Sequence, residues 1–493
     1  MSVSARRLIP RLLLAFAVAA AVPALLRATP EGAAARRSAW LDVAARQARA
    51  TDRLAVWVYF TDKGAETSAG VSPVSPRAAS RRTQRGMPTA TRAFDDRALD
   101  PGYVAGVGAL VSRVRHASRW LNAMSVEATP SQIDALAALP FVARLDVVRR
   151  ARRVAEPVVS LPADRSRVGA EDAAEDAPLD YGPGLDQVRQ IRVPEVHARG
   201  LHGEGVVVAV FDSGFPNLAH EAFASMTIAA ERDFVRGLDT VRESRDAHGT
   251  NTLSALGGFA PGRLIGPAYA ATFLLAVTED VASETPIEED HWAAAAEWAE
   301  ALGADVISSS LGYAAFDQPY TSYTDRDLDG QTAVTTRAAA RAAERGVVVV
   351  NSAGNEGFDA DRNTLVAPAD GVRVLTAGAV TRGGIRAAFS SVGPTADGRL
   401  KPDVVAMGVN VVVARQFEHV YGVASGTSFS CPLTSGVVAL VLQAHPEYTV
   451  DQLLEAVRGT ASQRGAPDRL LGWGLLDAVA AVEAVLTPPV APR

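Results

Sequence analysis

From Gly205 onward the chain alternates short, near-continuous apolar runs with amphipathic stretches. The runs fall at residues 206–211, 271–277, 305–308, 346–350 and 374–380. Runs of branched aliphatic residues without polar alternation belong to strands covered on both faces, which is the condition of a parallel sheet. Between and after them, helical periodicity falls at 291–302, 333–345, 428–444 and 449–460. Strands alternating with helices predict an α/β domain: a doubly wound, mostly parallel sheet with helices on both faces. Functional groups in such a sheet gather at the carboxyl ends of the strands.

That domain does not use the whole chain of 493 residues, and single cores stop growing near ~250–300 residues. Residues 1–28 read as a secretory signal peptide: Arg6, Arg7 and Arg11 precede an apolar run that ends in small residues. The run is too short for a spanning helix, so no stable membrane anchor is expected. Residues 29–154 read as a small α+β unit, with strands at 54–60, 122–128 and 142–148 and a helix at 131–139 that opens on Thr129-Pro130. Its arginine-rich stretch from 75 to 100 shows no clear period. Residues 155–180, rich in Ala, Asp, Glu and Pro, read as a linker; 181–487 form the main domain and 488–493 a tail. The lone Cys431 excludes an internal disulfide and reads as a buried structural thiol.

Charge divides along the same boundary. Residues 29–154 carry 20 basic and 11 acidic side chains, net +9, whereas 155–493 carry 25 and 44, net −19. Two units of opposite sign are expected to attract each other. That attraction is expected to steer association more than it strengthens the final contact, because exposed pairs are individually weak.

Three short motifs carry the chemistry. Asp212-Ser213-Gly214 ends the first apolar run, so its carboxylate faces the crevice. His248-Gly249-Thr250 opens a short helical stretch. Gly426-Thr427-Ser428-Phe429-Ser430-Cys431-Pro432 leads into the apolar helix, which sets Ser428 where a helix amino end favours developing negative charge. Each motif alone is compatible with turn or capping chemistry. Together, in the order Asp, His, Ser, they resemble the active-site motifs of the subtilase family.

The resemblance implies a secreted serine endopeptidase with Asp212, His248 and Ser428 as its triad, working through an acyl-enzyme. It places the oxyanion donor at Asn355, within Asn351–Gly357, and the strand edge that pairs with substrate at Ser310, Leu311 and Gly312. Residues from about 54 to 148 look more loosely like a subtilase propeptide, which implies a self-inhibited precursor whose partners are peptide substrates and its own propeptide, with no nucleic acid. Arg150-Ala151-Arg152-Arg153 is similar to a processing site, but arginine runs in so arginine-rich a chain are ordinarily solvated surface. In the loop before Pro368, Asn363-Thr364-Leu365-Val366-Ala367 is bulkier than the glycine common there in the family, which predicts a shallower specificity pocket.

The chemistry implies no cofactor. Asp325, Asp327 and Asp329 alternate before Gly330 as calcium ligands can, yet Thr336 stands where a helix-loop-helix calcium site would want glutamate; a solvated acidic turn is the preferred reading. Two competing functions are a non-catalytic binding protein that kept the scaffold and an esterase using the same triad.

Overall fold

A computed structural model describes residues 35–64, 74–87, 94–148, 158–160, 179–244, 246–279, 288–314 and 322–486. The signal-like segment, Arg150–Arg153 and most of 155–180 lie outside the described residues.

The amino-terminal unit is an antiparallel sheet of four strands, β1 (Leu54–Phe60), β2 (Arg113–Ser118), β3 (Ala123–Ala128) and β4 (Val142–Val147), in the order β2-β3-β1-β4. With it go α1 (Ala39–Gln47), α2 (Pro76–Gln84), α3 (Pro101–Gly108) and α4 (Pro130–Ala137). The expected helix start is built as a capping box, in which Thr129 and Gln132 satisfy each other's amides. Next, β5 (Val158–Ser160) pairs antiparallel with β16 (Tyr421–Ala424), itself paired to β15 (Val411–Ala414). Part of the stretch read as linker therefore forms a strand.

The main domain holds β6 (Val207–Asp212), β7 (Thr227–Asp233), a two-stranded pair β8 and β9 (Phe259–Ala260, Leu264–Ile265), β10 (Thr272–Val277), β11 (Val306–Ser309), β12 (Val348–Ser352), β13 (Val374–Val380) and β14 (Val404–Met407). Seven of these make an all-parallel sheet in the order β14-β13-β12-β11-β6-β10-β7. Its longer helices are α5 (His248–Gly257), α6 (Glu288–Leu302), α7 (Val334–Ala343), α8 (Thr427–Ala444) and α9 (Val450–Thr460). Successive side chains of a strand point to opposite faces, and β6 shows the consequence. Val208 and Val210 join the core with Leu253 and Val437 of α5 and α8, whereas Val207, Ala209 and Phe211 join the core with Trp292 and Ala339 of α6 and α7. Both faces must be apolar, which is why the strands read as unbroken runs. Among the described residues α8 is the one helix long and apolar enough to cross a bilayer, and it is buried as the core helix of this layer.

The core on the α6 side continues into the amino-terminal unit: Trp57, Trp120 and Leu145 belong to the same apolar cluster as Trp292 and Ala299. All seven residues of β1 are buried in consequence.

Most of the ion pairs between the two units depart from expectation, because they are buried. The arginine-rich stretch forms α2, with Ser75 as N-cap and Pro76 in the first turn. Arg82 places Nε and a terminal nitrogen each 2.8 Å from the two oxygens of Glu300, which Arg81 and Arg119 also approach. Asp305, at the entry to β11, takes Arg77 and Arg85. Arg115 of β2 is bidentate to Asp290 at 2.9 and 3.1 Å. Glu297 accepts from Ser118 and from the backbone amides of Arg119 and Trp120. Asp290, Glu297 and Glu300 share one face of α6, at spacings that return to the same side of a helix. Glu300 and Asp290 are fully buried, and Arg81, Arg82, Arg85 and Arg115 are almost so. At the contact between the units the charge division is thus a desolvated seam.

Candidate active site

Asp212 is the last residue of β6, fully buried. Its Oδ1 accepts from the Ser213 amide at 2.8 Å and its Oδ2 from the Thr252 hydroxyl at 2.9 Å. These neutral donors hold the carboxylate in one orientation. His248 opens α5, and its Nδ1 lies 2.6 Å from Asp212 Oδ1. The helix start is fixed by Asp246, whose Oδ1 accepts from the His248 amide and the Ser213 hydroxyl, both at 2.8 Å. The glycine after the histidine is sterically required, since a Cβ on Gly249 would stand 2.5 Å from the Gly214 carbonyl oxygen and 2.9 Å from Asp212 Cβ. Any side chain there would force α5 away from β6 and open the histidine–carboxylate contact.

Ser428 lies in the first turn of α8 beyond Gly426 and is buried. The His248 ring packs against Phe429, with centroids 5.7 Å apart, so the helix that carries the histidine meets the helix that carries the serine. The Ser428 hydroxyl donates to the Ser310 carbonyl at 3.2 Å, and the Ser310 hydroxyl donates to the Ser428 carbonyl at 2.8 Å. Asn355 follows β12. Its Oδ1 accepts from the Thr427 amide at 2.9 Å and the Thr427 hydroxyl at 3.0 Å. An amide oxygen held by a backbone N–H identifies the other end of the side chain as the NH2 donor. Residues 310–312 continue just past the end of β11, and Leu311 is anchored through its carbonyl by Asn351 Nδ2 at 2.9 Å.

The structure therefore gathers Asp212, His248, Ser428, Asn355 and the segment Ser310-Leu311-Gly312 at the carboxyl side of β6, β11 and β12. Thr252, Asp246 and Thr427 complete it and have no role in the sequence reading. Thr252 lies four residues after His248, on the same helix face, which is a spacing that could have found it. Cys431 is buried beneath the site, its Sγ directed at the Ser309 carbonyl at 3.4 Å, and burial pushes its thiol up to about 11. It is structural.

Asp325, Asp327 and Asp329 do not converge. Asp327 accepts from the Thr324 amide and hydroxyl, and Asp329 caps Gln331 and Thr332. Among the described residues the one group of three metal-capable side chains is His116, Asp290 and His291, in the seam. It is already committed, Asp290 to Arg115 and the two imidazoles to each other at 2.6 Å.

Comparison with known proteins gives matches on both units. The model of the subtilase family, Peptidase S8, matches residues 203–474, and that of the Peptidase S8 propeptide domain of Bacteroidota matches 55–160. Subtilisin NAT of Bacillus subtilis subsp. natto is 31% identical over 300 residues, covering 60% of this chain and 70% of that protein. Subtilisin of Bacillus pumilus is 30% identical over 300 residues, covering 60% of this chain and 98% of that protein. Among solved structures, fervidolysin from Fervidobacterium pennivorans, a keratinolytic enzyme related to subtilisin, aligns with a TM-score of 0.62 at 20% identity, over 89% of this chain and 62% of that one. At that identity it speaks for the fold.

Proposed function

Since the chain belongs to the subtilase family of serine endopeptidases and carries the family's propeptide domain, we propose that it is a secreted, self-inhibited precursor that cleaves peptide bonds through Asp212, His248 and Ser428. Secretion rests on the signal-like start of the sequence. The observation that carries the mechanism is the 2.6 Å contact between His248 Nδ1 and the buried Asp212, at the contact of α5 with the helix that presents Ser428.

The sequence of steps follows from the groups. With Nδ1 committed to Asp212, Nε2 of His248 is the nitrogen that takes the Ser428 proton as Oγ attacks the substrate carbonyl carbon. Asp212 keeps the ring in that tautomer and stabilises the imidazolium. The tetrahedral oxyanion accepts from the Asn355 NH2 and the Ser428 amide, the latter at a helix amino end. His248 then protonates the departing amine, and water repeats the sequence on the acyl-enzyme. None of these steps calls for a cofactor.

Labelling with a fluorophosphonate probe, followed by peptide mapping, tests the assignment. Ser428 is the expected adduct site, and Ser428→Ala should remove labelling and peptidase activity together; the loss known for this serine in subtilisin is roughly 10⁶-fold in kcat. An unlabelled chain, or activity surviving in Ser428→Ala, would refute it. The same labelling excludes a non-catalytic scaffold, and activity on denatured protein as well as simple esters separates a peptidase from an esterase.

A further inference from the structure

The opposite ends of the strands that carry the active site make a second constellation. Gly205 stands before β6, Asp305 before β11 and Gly346 before β12, and three helices finish at this same edge: α6 at Leu302, α7 at Ala343 and α8 at Ala444. The carboxyl end of a helix carries a partial negative charge, so three such ends gathered at one edge make it electronegative. Two carboxylates add to the effect. Glu300 occupies the last turn of α6, where an acid opposes the macrodipole, and Asp305 follows three residues beyond that helix. Acids so placed call for cations.

The cations supplied are guanidiniums. Arg77, Arg81 and Arg85 stand four residues apart on one face of α2, a rise of about 6 Å at each step. Arg77 donates to the Gly205 carbonyl at 2.7 Å, to the Gly303 carbonyl at 3.1 Å and to Asp305. Arg81 donates to the Ala304 carbonyl and to Glu300 at 2.5 Å. Arg85 donates to the Gly346 carbonyl and to Asp305 at 3.0 Å. Four backbone carbonyls and two carboxylates are thus aimed at flat, forked donors, a pattern that suits arginine and not the point charge of lysine. The cradle is also wider than α2 requires. Between α2 and the end of α8 a cavity of about 500 Å³ remains, lined among others by Ser80, Gln84, Glu204, Leu442 and Gln443.

Loss of the amino-terminal unit would empty this cradle. Among the described residues the ion-pair partners of Glu300 are Arg81, Arg82 and Arg119, and those of Asp305 are Arg77 and Arg85, all five from that unit. Resting on the function proposed above, we infer that in the mature enzyme this edge is an exosite that binds an arginine-rich helical segment of a protein substrate, with arginines four residues apart, and holds that protein while Ser428 cuts elsewhere in it. The unfilled cavity admits bulkier side chains than Ser80 and Gln84 between those arginines.

The test compares two protein substrates for the mature enzyme, the form that has lost residues 29–154, with each preparation normalised to its fluorophosphonate-labelled fraction. Both are reduced, alkylated α-lactalbumin fused through a Gly/Ser linker to a tag of sequence 74–87. In one the tag is unaltered, and in the other it carries Arg77→Ala, Arg81→Ala and Arg85→Ala. The 18 residues of α8, which separate the cradle from Ser428, span about 27 Å, a distance that a flexible linker of about 30 residues matches. Tethering through a second contact should raise kcat/KM for the unaltered tag by at least ~10-fold over the alanine tag. Asp305→Asn and Glu300→Gln in the enzyme should each shrink that gain, while hydrolysis of an untagged tetrapeptide p-nitroanilide stays unchanged. Should either variant fail to fold, the two tags on the unaltered enzyme decide the matter. Equal kcat/KM for the two tags, or a gain that survives both enzyme variants undiminished, overturns this inference alone. A chain that the probe does not label overturns the catalytic reading and this inference with it.

Discussion

Arg82→Ala probes the buried seam most directly. The guanidinium is 2% exposed and holds both oxygens of Glu300, itself fully buried, through two 2.8 Å bonds. Removing one partner of a buried pair costs about 3–5 kcal/mol, chiefly because the other charge is left without its compensation. Glu300 would keep Arg81 and Arg119, which places the loss at the low end, about 3 kcal/mol or some 150-fold in the equilibrium constant. The assay is urea unfolding of the full chain in a Ser428→Ala background, which prevents self-cleavage, at 0.1 M and 1 M NaCl. Screening falls to a length of ~3 Å at 1 M salt but acts mainly on exposed pairs, so the loss should be nearly the same at both concentrations. Arg113→Ala is the control. Its side chain is 64% exposed and 3.5 Å from Glu127, and such a pair contributes about 0–1 kcal/mol. A loss from Arg82→Ala below about 1 kcal/mol, or one that vanishes at 1 M salt, would show that the seam behaves as surface charge after all.

Three further outcomes can be measured. Asn355→Ala should lower kcat by about 10²–10³ with KM little changed, a figure carried over from the corresponding asparagine of subtilisin; an unchanged kcat removes it as the oxyanion donor. In the seam, burial lowers the pKa of both His116 and His291, the latter to about 3, so below about pH 6.5 the separated units take up protons that the assembled chain refuses, and stability falls as pH drops from 6.5 toward 3. Burial works to raise Asp290, but Arg115 and the two imidazoles bring it below its ordinary value, which adds to that loss at acid pH, whereas burial raises Glu297 and opposes it. A urea midpoint that stays flat from pH 7 to 5, or that is equally steep in His116→Asn, contradicts this. Because Asp327 and Asp329 are spent on local donors, Asp327→Ala should leave any response of the melting temperature to chelator unchanged; a chelator-induced fall that Asp327→Ala abolishes would restore the calcium site.

The sequence by itself determined the parallel sheet and marked the three proposed triad residues, for reasons that are local. A strand covered on both faces must be apolar throughout, so β6, β10, β12 and β13 were visible as runs. Asp212, His248 and Ser428 each stand at an element's end, the first two beside glycines demanded by close approach, Gly214 and Gly249. Capping chemistry likewise exposed the start of α4. What stayed hidden depends on neighbours distant in the chain. The polar edge strand β2 and the arginine-rich α2 carry little apolar periodicity of their own, because their charged side chains are matched by acids on α6 and at Asp305, some 175 to 230 residues away. Counting charges could register the opposite signs of the two units but not their burial, and burial decides whether an ion pair steers an encounter or holds a complex. The same limit applies at the active site. The bulk of the loop before Pro368 was legible, whereas the wedging of Val366 between Gly312 and Gly354 exists only once three separate segments have been folded against one another.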